Sequence, residues 1–198
     1  MSLFKFNPKT IVLLLFILLT GAIRVITNLD THLSPIANFS PIGAMALFGG
    51  AYFTKQWKSF GFPLLALFAS DLILSFTVFG QYRHGLLYGG WYWTYGAFAL
   101  MTVTGRWIVK HVTVSRVLLS AFVCVFIHWI VTDLGVWLGG MLYAKTVSGF
   151  IDCLIAAIPF EFSFLEGTIL YSALLFGAFE WMQQKYGLLT NQTALSHQ

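Results

Sequence analysis

The 198-residue chain is too apolar to fold as a water-soluble domain. Hydrophobic residues make up 58% of it and charged residues 9%, with a mean hydropathy of +0.80, whereas soluble domains carry roughly 25% charged residues. Lipid must therefore cover much of its surface. The formal charge of +4 comes from basic residues scattered between apolar runs, a pattern that encodes membrane topology and not a nucleic-acid surface.

The apolar runs predict an all-α, polytopic membrane helix bundle of about six transmembrane helices. These helices form a single integral membrane domain over residues 1–198, because no linker is long enough to divide it. A full span needs about 20 apolar residues. The predicted spans are 10–27, 41–53, 60–79, 91–109, 117–138 and 162–182. The first run has no A-x-A cleavage pattern after it, so we expect an uncleaved helix and not a signal peptide.

The positive charges predict that both termini are cytoplasmic, because Lys and Arg resist translocation. This orientation leaves three of the 11 basic residues outside, namely Arg24, Arg83 and Lys145. The other eight lie inside: Lys5, Lys9, Lys55, Lys58, Arg106, Lys110, Arg116 and Lys185. We expect a multi-pass protein of the bacterial inner (plasma) membrane.

The connections on the predicted outer side are longer than those inside. Residues 29–40, 80–90 and 139–161 contrast with the short inner connection 54–59. The last outer connection contains an apolar stretch, 151–158, that ends at Pro159. It is too short to span, so we expect it at the interface or folded over the bundle as a lid. Long loops on one face usually carry a function.

Three carboxylates fall within predicted spans, at Asp71, Asp133 and Glu166. A carboxylate at the centre of a membrane helix costs about 2.5–3.5 kcal/mol on insertion scales, so it normally faces protein or water. One interpretation is a separate structural hydrogen bond for each. Since all three map to the middle or outer half of their helices, we favour a shared polar cavity that opens outward.

His128 lies in the middle of the fifth predicted span. At 100° per residue, His128 and Asp133 lie on different faces, so a direct pair is not expected. A hydrogen bond across the bundle is the more common role for such a histidine than ligand binding. No second His or Cys follows at helical spacing, so we expect no metal site and no cofactor. No nucleotide-binding motif occurs either.

The second predicted span carries small residues at Gly43, Ala46 and Gly50. Such a face lets another helix approach closely. It serves either packing within the bundle or docking of a partner subunit. Asn38 precedes this helix, where free backbone N–H groups favour an anion or a carbonyl ligand.

Several stretches, in this order, resemble a family of small bacterial inner-membrane proteins. They are 38–52 (NFSPIGAMALFGGAY), 68–72 (FASDL), 132–138 (TDLGVWL), 157–160 (AIPF) and 175–177 (LFG). That family is distantly similar to the substrate-binding S components of energy-coupling-factor (ECF) vitamin transporters. The resemblance implies a six-helix bundle with a vitamin pocket under its outer loops, working with a separate energy-coupling membrane subunit and ATPase.

The leading hypothesis is a non-enzymatic subunit that binds and translocates a small nutrient, such as a vitamin or precursor. The pocket is expected between helices 3 to 6, with polar contacts from the three carboxylates. Trp91, Trp93 and Tyr95 offer stacking surfaces. Two alternatives remain open: a structural or accessory subunit of a larger membrane complex, and an intramembrane enzyme that uses His128. The expected partners are the lipid bilayer and a small molecule, and no nucleic acid.

Overall fold

A computed structural model describes residues 8–28 and 39–186 of the protein. The six helices are α1 (Pro8–Asn28), α2 (Ile42–Tyr52), α3 (Gln56–Phe76), α4 (Trp91–Ile108), α5 (Val114–Gly139) and α6 (Val147–Lys185). Between α3 and α4 lie a 3-10 turn (Gly80–Tyr82) and a small antiparallel hairpin, β1 (Arg83–His84) and β2 (Leu87–Tyr88). The predicted all-α bundle is confirmed for the described part of the chain.

Four of the described helices are long and apolar enough to cross a membrane: α1, α3, α5 and α6. This indicates membrane association. By contrast, α2 has 11 residues, a length of about 16 Å at 1.5 Å per residue. It cannot cross a hydrocarbon core of about 30 Å on its own. The side of the membrane that each end of the bundle faces stays a prediction.

The short helix α2 lies at the centre of the bundle, in contact with each of the other five helices. Nearly all of its residues are buried. Phe48 stacks on Phe16 of α1, with ring centroids 5.5 Å apart, and meets Phe176 and Phe179 of α6 edge to face. Since α2 is surrounded by protein, its length need not match the membrane.

The small residues of α2 pack inside the bundle and are not available to a partner subunit. A Cβ atom on Gly50 would overlap the backbone of Thr102 on α4, and one on Gly43 would overlap the Thr168 side chain on α6. Ala46 is fully buried. Of the two expected roles for this face, the described residues therefore show close helix packing.

The sixth helix begins at Val147 and not near residue 162, so the apolar stretch 151–158 is helical and forms no separate lid. Its 39 residues extend about 58 Å. Pro159 lies inside it and cannot donate to the carbonyl of Ile155. Neighbouring helices support the segment, because Trp129 Nε1 of α5 donates to Leu154 O at 3.0 Å. Membrane helices tolerate proline under such conditions.

Candidate functional site: a charged cavity at the predicted outer end

A buried ion pair joins α1 to α3 near their C-terminal ends. Arg24 Nη2 lies 2.5 Å from Asp71 Oδ1, and Arg24 Nη1 donates to Ser70 Oγ at 2.7 Å. Arg24 is 9% exposed and Asp71 is 1% exposed. Either charge alone would be costly at this position, and pairing offsets part of that cost.

The other carboxylate oxygen of Asp71 faces the start of α4. Asp71 Oδ2 and the Tyr95 hydroxyl lie near each other, but among the described residues neither atom has a partner at hydrogen-bond geometry. The Tyr95 ring is held by Trp91, whose ring centroid lies 5.2 Å away at an edge-to-face angle of 84°. This arrangement places Tyr95 beside the ion pair.

A second charged pair joins α5 to α6. His128 Nδ1 lies 2.9 Å from Glu161 Oε1, and the Phe164 ring packs against the imidazole with centroids 4.3 Å apart. Glu161 is 9% exposed, and its Oε2 atom is buried without a hydrogen-bond partner in the described part of the chain.

Both pairs line one cavity of about 320 Å³. This volume falls at the lower end of the roughly 300–1,000 Å³ typical of small-molecule sites. Its polar wall is made by Arg24, Asn28, Ser40, Asp71, His128 and Glu161, and its apolar and aromatic wall by Ile42, Leu74, Phe79, Tyr82, Tyr88, Phe160 and Phe164. Mostly apolar walls with a few convergent polar groups are typical of ligand sites.

The hairpin between α3 and α4 contributes Tyr82 and Tyr88 to this cavity. Gly85 and Gly90 adopt φ angles of +82° and +77°, which glycine tolerates best. Burial, together with the Asp71 charge, raises the pKa of Tyr88 to about 12. Tyr88 therefore keeps its hydroxyl proton at neutral pH and can donate a hydrogen bond.

A second cavity of about 580 Å³ lies between the start of α4 and the end of α5. Trp93 lines it and packs on Gly135, where a Cβ atom would overlap the indole. Tyr88 lines both cavities. The three predicted stacking residues are thus divided: Trp93 lines the second cavity, Tyr95 lies near Asp71, and Trp91 is 42% exposed. None of them is among the residues that line the charged cavity.

The expectation that Asp71, Asp133 and Glu166 share one cavity is wrong, since only Asp71 lines it. Asp133 is buried beside Cys153, whose Sγ lies 3.8 Å from Asp133 Oδ1. Glu166 is exposed on the outside of α6. Five residues turn a helix through about 140° beyond one full turn, so Glu166 cannot share the face of Glu161.

The cavity also lies elsewhere than predicted. The lining residues come from α1, α2, α3, α5 and α6 with their connections, and none comes from α4. His128 makes the hydrogen bond across the bundle that the sequence favoured. Asn38 lies outside the described residues.

A family model matches residues 4–194, which is nearly the whole chain, and its description is a family of unknown function, DUF6580. The chain belongs to the DUF6580 family. The matched range includes both charged pairs of this DUF6580 protein. The match shows no relation to the S components of ECF transporters, although the helical architecture is compatible with one. No curated protein and no solved structure matches the chain.

Among the lining residues that the sequence does not predict as site residues in this DUF6580 protein, Arg24 and Glu161 are the two with ionisable acidic or basic groups outside the tyrosines. Arg24 is the only charged residue in the first apolar run, 10–27, and an isolated charge there indicates a buried partner. The sequence places Glu161 in an outer connection, because the apolar stretch 151–158 ends at Pro159 and is too short to span. Extending the helical register through the proline would have placed Glu161 in the bundle.

Proposed function

We propose that the protein is a membrane-embedded subunit that binds and translocates a small nutrient, such as a vitamin or a vitamin precursor, for uptake. The observation that supports this function is the cavity of about 320 Å³ whose mostly apolar wall holds the Arg24–Asp71 ion pair and the His128–Glu161 pair. It lies at the end of the bundle that the positive charges assign to the outside. Small-molecule sites have this composition and this size.

The proposed setting is the bacterial inner membrane, with a separate energy-coupling membrane subunit and ATPase as partners. The sequence stretches that resemble a family distantly similar to ECF S components imply this setting, and the six-helix architecture is compatible with it. We propose binding and not catalysis, because the His128–Glu161 pair packs against the Phe164 ring. Among the described residues, the ring of His128 has no hydroxyl or thiol nucleophile as a hydrogen-bond partner.

A structural or accessory role in a larger complex is the alternative. Many large apolar side chains are exposed on the bundle, including Leu15, Phe122 and Phe162. Lipid would cover these side chains in a subunit that acts on its own, and other chains would cover them in a complex. Their exposure supports both roles equally, so ligand binding is the property that distinguishes the two.

The test is a thermal-shift screen of the purified full-length protein against vitamins and their precursors. A ligand at 100 times its dissociation constant adds about 2.7 kcal/mol to the free energy of unfolding. We expect the shift to disappear in Ser40→Leu, which fills the cavity, and to persist in Ser148→Leu at an exposed position. If no compound shifts the melt and the protein co-purifies stoichiometrically with a large complex, the structural role replaces this proposal.

A further inference from the structure

We infer that the charged cavity takes a small organic cation with a protonated amine, anchored on Glu161. This assignment of a substrate class rests on the proposed binding function. It is carried by one observation: Glu161 is a buried acidic side chain whose Oε2 has no hydrogen-bond partner among the described residues, in a cavity that also holds the Arg24–Asp71 ion pair. The predicted outer carboxylates Asp133 and Glu166 have no part in it.

The charge balance of the cavity favours a cation. Arg24 and Asp71 neutralise each other, and the guanidinium also donates to Ser70. In the described part of the chain, the second acidic side chain, Glu161, has only His128 as a partner. Among the described lining residues, Glu161 is therefore the one acidic side chain without an Arg or Lys partner. An anionic ligand would place a second acidic group beside it in a site of low dielectric, whereas a cation would pair with it.

The hydrogen-bonding groups favour an ammonium head. Glu161 Oε2 is buried and without a hydrogen-bond partner among the described residues. Leaving a buried acceptor unpaired destabilises the protein, and a charged acceptor does so more strongly. An ammonium group has three donors and no acceptor, so it can satisfy unpaired acceptors without leaving an unpaired acceptor of its own.

The remaining wall favours an organic cation over a metal ion. The described residues contain no group of three or more His, Cys, Asp or Glu side chains that could hold a metal. The aromatic rings of Phe79, Tyr82 and Phe160 line the same cavity. Aromatic faces attract cations, and their apolar surface covers the body of an organic ligand.

The test compares how tightly three probes bind to the purified full-length protein. The probes have similar shapes and differ in charge. They are 2-phenylethylamine, which is protonated at neutral pH, the neutral 2-phenylethanol, and the anion 3-phenylpropanoate. Dissociation constants are measured by calorimetry at one fixed pH and ionic strength. We expect the amine to bind at least about tenfold more tightly than either other probe, since charge-assisted hydrogen bonds are the strong ones.

Glu161→Gln removes the charge but keeps an oxygen that accepts from His128. We expect it to weaken amine binding about tenfold or more and to leave binding of the alcohol unchanged. Glu166→Gln removes an exposed carboxylate from the same helix and is the matched control, with unchanged amine binding. Should Glu161→Gln fail to fold, the three probes on the wild-type protein still decide the question.

Three results would overturn the assignment. The alcohol or the anion could bind as tightly as the amine, the amine could bind equally well to Glu161→Gln, or the amine could fail to bind at millimolar concentration. A neutral or anionic hit in the vitamin screen, abolished by Ser40→Leu, would leave the binding function standing while the cation assignment fails. No hit in either experiment would overturn both.

Discussion

Arg24 of α1 and Asp71 of α3 form an ion pair with 2.5 Å between Nη2 and Oδ1, in the interior of a bundle whose outer surface is apolar. The pair ties the first helix to the third at the end of the bundle where the charged cavity lies. It makes α1 part of the site, although the sequence placed the pocket between helices 3 to 6.

Replacing only one residue of this ion pair should destabilise the protein strongly. Arg24→Met leaves Asp71 as an uncompensated buried charge, and we expect a loss of about 3–5 kcal/mol in the free energy of unfolding. Asp71→Asn should have a similar effect. Replacing both residues together, Arg24→Met with Asp71→Leu, should cost much less than the sum of the single changes. Unfolding in detergent with a double-mutant cycle measures this coupling.

Arg83→Met is the control for the ion-pair experiment, because Arg83 is exposed on the hairpin and rests on the Phe76 ring at 4.4 Å. We expect a change of at most about 0.5 kcal/mol there. Additive losses at Arg24 and Asp71 would show that the two side chains are not coupled.

The α2–α4 contact should not tolerate a methyl group. Gly50→Ala would place a Cβ atom against the backbone of Thr102, which cannot move as a flexible side chain can. We expect a loss of at least about 1–3 kcal/mol, the usual cost of overpacking. Gly61→Ala is the matched control in a helix, because a Cβ atom there meets nothing within 4 Å.

Gly61→Ala should be neutral or stabilise the protein by about 0.5–1 kcal/mol through helix propensity. Thermal melts of both variants in one detergent make the comparison. Equal melting temperatures for Gly50→Ala and Gly61→Ala would contradict the close approach of α2 and α4.

The stability of the protein should fall at alkaline pH through Tyr88. Its pKa is raised to about 12 from an ordinary value of 10.0, first by burial and then by the Asp71 charge. A pKa that is higher in the folded state means that the stabilisation is fully present below pH 10 and is lost as the pH rises towards 12. Tyr88→Phe should lose less stability than the wild type between pH 10 and 12.

Denaturant unfolding at intervals from pH 9 to pH 12 measures the Tyr88 effect. Tyr186→Phe, at an exposed position near the end of α6, is the control and should retain the wild-type profile. If Tyr88→Phe and the wild type lose stability in parallel, Tyr88 is not the group responsible.

The topology can be tested with reporter fusions. Fusions at Lys185 and within residues 54–59 should report the cytoplasm, and fusions within 80–90 should report the outside. The reason is that the basic residues are concentrated at the end of the bundle that contains Lys185 and residues 54–59. The hairpin, and with it the cavity, would then open outward. An external signal from Lys185 would reverse the proposed direction of ligand entry.

The sequence alone was sufficient for the architecture because the relevant signal is local. Each long apolar run is itself the reason for a membrane helix, and α1, α3 and α5, which are long and apolar enough to cross a membrane, lie within a few residues of the predicted spans. Helix α6 was predicted too short, since a proline that would end a soluble helix is supported here by contacts with α5.

The pairing of the charged side chains depends on the tertiary structure. Arg24 and Asp71 are 47 positions apart, and His128 and Glu161 are 33 apart, so no spacing rule within one helix joins them. The partner of each charge depends on how the helices rotate and pack around the small residues of α2. An apolar run determines that a helix crosses the membrane, because transfer into lipid depends on composition. It does not determine the rotation of that helix, because rotation is set by contacts with its neighbours.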